Sequence, residues 1–384
     1  MSQRGVRLQY SFEPAGQGGA QIDNPLFDLL SALRAHGSIR HTAAARGMSY
    51  RHTWGAIKRW EEVLGEPLVH WVQGQRARLT PFAERLLWAE TQARTRLTPH
   101  IEALRAELER VLSDALDGQQ QVLTVWASHD LALPQLRELA RDRHRLHMDL
   151  RFAGSVDALQ ALAQGRCLVA GFHVPPLTGA APHFARALKP LLRPGQHKLI
   201  GCFQRTQGLM LRKADAARVR TLHDLPASGL RFINRQPGSG TRLLMDHLLH
   251  TAGIDPARIT GWHADPEESH VAVAATVASG SADCGPGLQA AAEQFGLAFQ
   301  PLTAEDYFLV CLKDALKQPA VLRLCAALQA PDWERNLGVL PGYEPSVQAG
   351  EVLSLTRALP WWHYRATKAA ASKALGTVDD NAAV

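Results

Sequence analysis

The sequence predicts a multidomain chain: a small all-α head carrying a β-hairpin, a helical linker, and a larger α/β domain. Three observations carry this expectation. At 384 residues the chain exceeds what one small core organises, and its length points to two or three units. The basic excess is lopsided: residues 1–100 hold thirteen Lys and Arg against eight Asp and Glu, an excess of five within a formal net charge of +6 for the whole protein. The apolar period also changes, from three- and four-residue steps near the front to β-type runs alternating with helical ones after Gln121. A hydrophobic share of 46% with 20% charged residues is ordinary for a globular protein with real cores.

Residues 1–22 are Gly- and Gln-rich and are expected to form a flexible N-terminus. A head domain then spans 23–80. Asn24-Pro25 supplies a cap and a proline at the first helical position, and Leu26, Leu29, Leu30 and Leu33 mark a helix that Gly37 ends. Ser38 opens a short second helix carrying Ala43, Ala44 and Ala45, small enough for a close helix crossing, and Gly47 closes it. Ser49 caps a third helix to Gly65, in which Trp54, Ile57, Trp60 and Leu64 form the apolar stripe.

The spacing of the second and third helices is that of a helix-turn-helix. Away from the stripe, Ser49, Tyr50, Arg51, His52, Gly55, Lys58 and Arg59 offer cationic and hydrogen-bonding groups suited to phosphates and base edges, with Gly55 allowing close approach. A merely solvated basic face is the alternative. Leu68 to Val72 and Ala77 to Leu79 read as two strands around Gln73-Gly74, a wing whose Gln75, Arg76 and Arg78 sit where a winged domain touches a phosphate backbone.

Thr80-Pro81 opens a linker or dimerisation helix over 81–118, with Phe82, Leu86, Leu87, Leu97, Ile101, Leu104, Leu108 and Leu112 as its apolar positions. Pro99 threatens to divide it into two helices. A two-fold dimer built on this segment places two reading helices in successive major grooves, about 34 to 36 Å apart. Asp117-Gly118 then reads as a linker.

The α/β domain is expected over 119–364, followed by a disordered tail at 365–384. Its β-type runs are Val122 to Trp126, Leu146 to Phe152, Cys167 to Phe172, Leu199 to Phe203, Leu230 to Asn234, Ala282 to Cys284 and Phe308 to Leu312, an alternation that argues for mainly parallel sheets. Trp361-Trp362 reads as an anchor for the terminal segment.

Ligands of open α/β sheets sit beyond the carboxyl ends of strands, which singles out Ser128 and His129, then Ser155, then the stretch Asn234 to Arg242. In that stretch Gly238 and Gly240 free backbone N–H groups to converge, Ser239 and Thr241 add hydroxyls, Arg235 and Arg242 add charge, and the following helix supplies the positive end of its dipole. It is expected to seat a small anion; a tight turn with Ser239 as a plain N-cap is the alternative. The stretch lacks the Gly-Lys-Ser/Thr ending of a P-loop, and Pro237 stands where a nucleophile elbow needs Gly. With no base assigned to Ser239, no catalytic residue is expected. His270 serves either an oxyanion or its helix, and Tyr307 lies where the chain returns to the first sheet. His247 and His250 are three apart on one helix without a carboxylate or thiol cluster, so no metal is expected. Five cysteines without close pairs, no export-type leader and no run long enough to span a bilayer lead to the expectation of a cytoplasmic protein that contacts no membrane.

Residues 24–87, with GSIRHTAAARGMSYRHTWGAIKRWEEVLG and the wing after it, resemble the winged helix-turn-helix of LysR-type regulators, especially the ModE-type subset that controls molybdate genes. The later half, with FINRQPGSGTRLLMD, SHVAVAATVASGSADCGPG and LPGYEPSVQAGEVLSLTRALPWW, is similar to the periplasmic-binding-protein-like domain related to molybdate and tungstate binding proteins. The resemblance implies a type II, two-lobed fold, lobe I over about 119–203 and 308–364 and lobe II over about 204–307. It also implies oxyanion contacts at Ser239, Gly240 and Thr241, with Ser128 and Ser155 on first-lobe loops. Two departures stand out. Pro99 interrupts the expected linker helix, and Arg235 with Arg242 add more charge than molybdate needs, which leaves room for a carboxylate or a larger anionic metabolite. The joined halves resemble regulators of molybdenum-dependent formate dehydrogenase operons. The implied function is a non-enzymatic, ligand-responsive transcription regulator, a homodimer or homotetramer that binds a double-stranded DNA operator, takes molybdate, tungstate or formate as effector and needs no cofactor. The alternative is an enzyme or oxyanion-handling protein of molybdenum cofactor metabolism.

Overall fold

The computed structural model describes residues 24–70, 76–116, 121–176 and 182–363. The expected flexible N-terminus, the Gln73-Gly74 turn with Gln75, the Asp117-Gly118 linker and the tail from 365 lie outside the described residues. The chain divides into two units, Met1–Glu102 and Ala103–Val384.

In the first unit the caps define the helices. α1 (Pro25–His36) begins where Asn24 Oδ1 accepts from the Leu26 amide at 3.1 Å and ends at Gly37 with φ of 61°, a left-handed conformation that glycine adopts without a Cβ clash. α2 (Ile39–Ala45) and α3 (Tyr50–Leu64) are capped by the Ser38 and Ser49 hydroxyls. β1 (Val69–His70) pairs antiparallel with β2 (Arg78–Leu79), and α4 (Pro81–Leu116) follows. Leu26, Leu29, Leu30, Leu33, Ile57, Leu68 and Leu87 are buried together, with Trp54, Trp60 and Leu64 packed against them. The apolar stripe of α3 therefore faces the core of the head. α4 passes through Pro99 as one helix. A proline removes one donor from the ladder, and the turn before it keeps side-chain support, with the Thr98 hydroxyl on the Arg94 carbonyl at 2.8 Å and that of Thr95 on the Gln92 carbonyl at 2.9 Å.

The second unit opens as alternating strands and helices: β3 (Gln121–Ser128), α5 (Leu133–His144), β4 (Leu146–Ala153), α6 (Ser155–Ala163), β5 (Val169–Val174) and α7 (Pro182–Leu188). β6 (His197–Leu211) leads into the second lobe, which holds α8 (Leu225–Ser228), α9 (Gly240–Thr251), α10 (His270–Ala278), β7 (Cys284–Leu288) and α11 (Gln289–Gln294). β8 (Ala298–Leu312) returns, and α12 (Pro319–Leu328), α13 (Pro331–Gly338), β9 (Tyr343–Pro345), β10 (Val352–Ser354), α14 (Leu355–Ala358) and α15 (Pro360–His363) complete the first lobe. The strands form one eight-stranded sheet in the order β10-β6-β8-β5-β3-β4, with β7 and β9 also on β6.

The expectation of mainly parallel sheets is corrected. Among the described strands, β3–β4 and β3–β5 are the parallel pairs, whereas β5–β8, β6–β8, β6–β7, β6–β9 and β6–β10 are antiparallel. The reason is the two long strands. β6 carries the chain out of the first lobe and β8 carries it back, so they run in opposite directions along their whole length, with register shifts between Gly201 and Phe203 and between Gln207 and Gly208. The expected strand Leu230 to Asn234 is no ladder either: Phe232 bridges Cys284, Arg235 bridges Glu267, and successive amides bond to different segments.

Trp361 is buried and Lys189 stands over the Trp362 ring at 4.7 Å, so the tandem tryptophans do anchor the terminal segment. Among the described residues no helix is long and apolar enough to cross a membrane.

Candidate anion site and nucleic-acid interface

Where β6 and β8 cross between the lobes, the apolar alternation is broken by charge. Arg205 and Glu305 are register partners on these strands, both fully buried. Arg205 Nε donates to Glu305 Oε2 at 3.2 Å, and its Nη1 donates to Asp130. Asp130 also accepts from the Ala132 amide at 2.6 Å and the Tyr343 hydroxyl at 2.9 Å, while Glu305 Oε1 meets His173 Nδ1 at 2.8 Å. Burial works against the Arg205 charge, but Asp130 and Glu305 outweigh it and hold the proton more firmly than usual. Both carboxylates are thus engaged within the protein.

Arg235 is different. It is 3% exposed, and its Nε and Nη2 donate to the carbonyls of Glu267 at 3.1 Å and Glu268 at 2.7 Å. Among the described residues no carboxylate forms an ion pair with it, and Nη1 is sealed from solvent without a partner. Burial first, then the like charge of Arg205, push its pKa down to about 9. A guanidinium held this way is a demand for an anion.

Other sealed polar atoms without partners belong to the same surroundings: Ser155 Oγ, Asn234 Nδ2, Arg205 Nη2, Gln207 Oε1, and Nδ1 of both His129 and His270. Most are donors or become donors. Ser155 and Gly240, the first residues of α6 and α9, approach so closely that a Cβ on Gly240 would meet Ser155 Oγ at 2.8 Å and overlap the His173 ring. His270 is the first residue of α10. The positive ends of helices from both lobes therefore meet this cluster. Burial lowers the His129 pKa to about 3, with Arg235 and Arg205 adding to it, and the His270 ring is pushed well below its ordinary value by the same causes.

The remaining expected site residues divide. Tyr307 donates to the Ser128 carbonyl at 2.9 Å and accepts from Ser128 Oγ at 3.2 Å, a clasp beneath the cluster. Thr241 accepts from Gln207 Nε2 at 2.9 Å. Gly238 adopts φ of 81°, and its carbonyl faces Gly154 and accepts from the Val156 amide at 3.4 Å, which joins the lobes. Ser239 is spent as the N-cap of α9, accepting from the Arg242 amide at 3.2 Å and donating to the Gln236 carbonyl at 2.8 Å. Arg242 is turned elsewhere, paired with Asp246 at 3.1 Å and set 4.8 Å over the Trp262 ring. Sequence reasoning missed Arg205, Gln207, His173 and Glu305. The first two had a signal, since Gln204 to Gln207 form a polar break between the apolar runs of β6, and of these four Arg205 and Gln207 are the buried ones.

His183, His247 and His250 bring their rings together, 4.9 Å between His183 and His250 and 5.9 Å between His183 and His247. Among the described residues no group of three or more His, Cys, Asp or Glu is placed to hold a metal ion.

On the head, Ser49, Tyr50, Arg51, His52, Lys58, Arg59, Arg76 and Arg78 are exposed and Gly55 is half-buried. Arg51 and Arg59 have no ion-pair partner among the described residues. Lys58 is already engaged, with Nζ donating to Glu61 Oε2 at 2.7 Å and standing over the Trp54 ring at 4.8 Å. Glu61 Oε1 accepts from the Leu68 and Val69 amides at 2.8 and 3.3 Å, fastening α3 to the start of the hairpin.

Residues 136–329, half of the chain, match the family described as PBP superfamily domain, and residues 26–84 match the bacterial regulatory helix-turn-helix proteins of the lysR family. The uncharacterized protein YvgK of Bacillus subtilis (strain 168) is 32% identical over 204 residues, 53% of this chain and 65% of YvgK, so the chain spans slightly less than two thirds of that relative. An uncharacterized protein in the ferredoxin 2Fe-2S gene 5′ region of Clostridium pasteurianum is 33% identical over 29% of this chain and 98% of its own length. The structure of a probable transcriptional regulator, PA0477, from Pseudomonas aeruginosa is 20% identical and aligns with 84% of this chain and 97% of its own, at a TM-score of 0.39.

Proposed function

Since the chain belongs to the PBP superfamily and carries a lysR-family helix-turn-helix ahead of that domain, we propose that it is a transcription regulator whose DNA affinity responds to a small anion enclosed between the two lobes. Arg235 carries the reading: a buried guanidinium with no carboxylate ion-pair partner among the described residues and one sealed nitrogen without an acceptor, in a cluster that holds the first residues of α6, α9 and α10. An acceptor-rich oxyanion answers that set of donors. Because the unpartnered atoms are all sealed from solvent, the anion they fit is compact, which favours molybdate or tungstate, and formate among carboxylates, over a larger metabolite. The contact residues are Ser155, Asn234, Arg235, the Gly240 and Thr241 backbone, His129 and His270, with Ser128, Tyr307, Gly238 and Ser239 shaping the pocket from behind.

On the head, Tyr50, Arg51, His52 and Arg59 on α3 read base edges, Gly55 allows close approach, and Arg76 and Arg78 grip phosphates, the protein acting as a homodimer or homotetramer. An effector alters DNA affinity only by binding one arrangement of the assembly better than another. Target genes of molybdoenzymes such as formate dehydrogenase fit this effector class. The test is a gel-shift titration of the full chain on the intergenic region beside its own gene, with and without 1 mM molybdate, tungstate or formate. Sequence-selective binding that shifts at least fivefold with one of them is expected; binding with no sequence preference at physiological salt, or no response to any of the three, overturns the reading.

A further inference from the structure

Among the described residues the two imidazoles at the cluster have polar atoms that the fold itself leaves unused. Neither His129 nor His270 makes a hydrogen bond among the described residues, and each presents a sealed, unpartnered Nδ1. His129 only packs its ring against Phe152, 4.8 Å away, and His270 heads α10 beside the carbonyls that hold Arg235. We propose, on the reading that this pocket takes an anion, that His129 and His270 are its proton-linked ligands: they are neutral in the protein alone, and a dianionic oxyanion enters together with protons that settle on these rings.

The charges around them decide the direction. The charges of Arg235 and Arg205 act on both rings, and His129 and His173 add to the opposition at His270. Asp130 and Glu305 are committed to Arg205, with Tyr343 and His173 as their further partners, and Glu267 accepts from the Thr276 hydroxyl at 2.6 Å. The positive end of α10 adds to the opposition at His270. Every one of these cationic influences disfavours an imidazolium, and a doubly negative guest placed among them reverses the sign of the field. A neutral ring has one donor, whereas an imidazolium has two, so protonation also converts an idle Nδ1 into a contact. A monoanion such as formate supplies half the charge and draws fewer protons. The pocket thereby selects by charge as well as by shape.

Linkage makes this measurable. If the bound state holds more protons than the unbound one, anion affinity rises as pH falls, by about tenfold per pH unit for each proton taken up. The experiment is calorimetry of the full chain with molybdate and with sulfate, which both stay dianionic, and with formate, between pH 6.5 and 8 in buffers of differing ionisation enthalpy. Uptake of between half a proton and two protons per dianion is expected, with less for formate, and His270→Gln and His129→Gln each reduce it. Tight binding of a dianion with the same heat in every buffer and a pH-independent affinity overturns the proton link while leaving the anion pocket intact. Uptake that persists unchanged in both variants overturns the assignment to these rings. If no anion binds the folded chain, this inference falls together with the functional reading beneath it.

Discussion

Arg205 and Glu305 stand opposite each other on the two strands that join the lobes, Nε to Oε2 at 3.2 Å, each without solvent exposure. Removing one partner of such a pair leaves the other charge buried and costs about 3 to 5 kcal/mol. Glu305→Gln is therefore expected to lower the stability of the full chain by about 3 kcal/mol, read from its urea midpoint. An unchanged midpoint would show that Asp130 alone suffices to balance the Arg205 guanidinium.

The same pair sets an acid limit. Burial alone would raise the Glu305 carboxyl, but His173 and Arg205 overcome it and hold the pKa below the ordinary 4.5. A carboxylate depressed on folding stabilises fully above its unfolded value and loses that contribution as pH falls through the folded one. Unfolding of the wild type between pH 5 and 3 should therefore show a loss of stability that is smaller in Glu305→Gln; parallel curves would count against the assignment.

Among the described residues the buried Arg235 guanidinium has no carboxylate ion-pair partner, and Arg235→Met removes it. A ligand present at a hundred times its Kd stabilises the folded state by about 2.7 kcal/mol. The melting-temperature increase given by whichever oxyanion binds the wild type should vanish in Arg235→Met, while the variant still unfolds cooperatively. A full ligand-induced increase in the variant would remove Arg235 from the site.

At Gly240 the hydrogen atom is the limit, because any Cβ overlaps His173 and crowds Ser155. Overpacking of this sort costs about 1 to 3 kcal/mol. Gly240→Ala should weaken anion binding by tenfold or more in equilibrium dialysis; unchanged binding would show that His173 and Ser155 yield to the methyl group without disturbing the site.

On the head, Lys58 is held by Glu61 and Trp54, whereas Arg59 has no ion-pair partner among the described residues. Arg59→Ala is expected to cost more DNA affinity than Lys58→Ala. Arg51→Ala should relax sequence preference by about 1 to 3 kcal/mol at the base it reads, and Arg76→Ala should weaken all sequences alike and reduce the salt slope by about one. Fluorescence anisotropy at two salt concentrations distinguishes these outcomes, and the reverse pattern would exchange the roles of helix and wing.

Local chemistry in the chain was enough to define the head. Asn24, Ser38 and Ser49 cap their helices and Gly37 and Gly65 end two of them because capping and left-handed turns are decided within a few residues, and Trp54, Ile57, Trp60 and Leu64 face inward because a 3.6-residue period needs no distant partner to be read. The strand-end loops holding Ser128, Ser155 and Asn234 to Thr241 were legible for the same reason, and so was the capping alternative that Ser239 fulfils. Direction and pairing were not. That β8 returns antiparallel to β6, that Arg205 faces Glu305 a hundred residues away, and that Arg235 meets the Glu267 and Glu268 carbonyls and, among the described residues, no carboxylate, all depend on contacts between segments remote in sequence. A residue type states which bonds a side chain is able to make; only the folded neighbourhood, by taking some of those bonds and sealing off the rest from water, settles which charge is left wanting a partner.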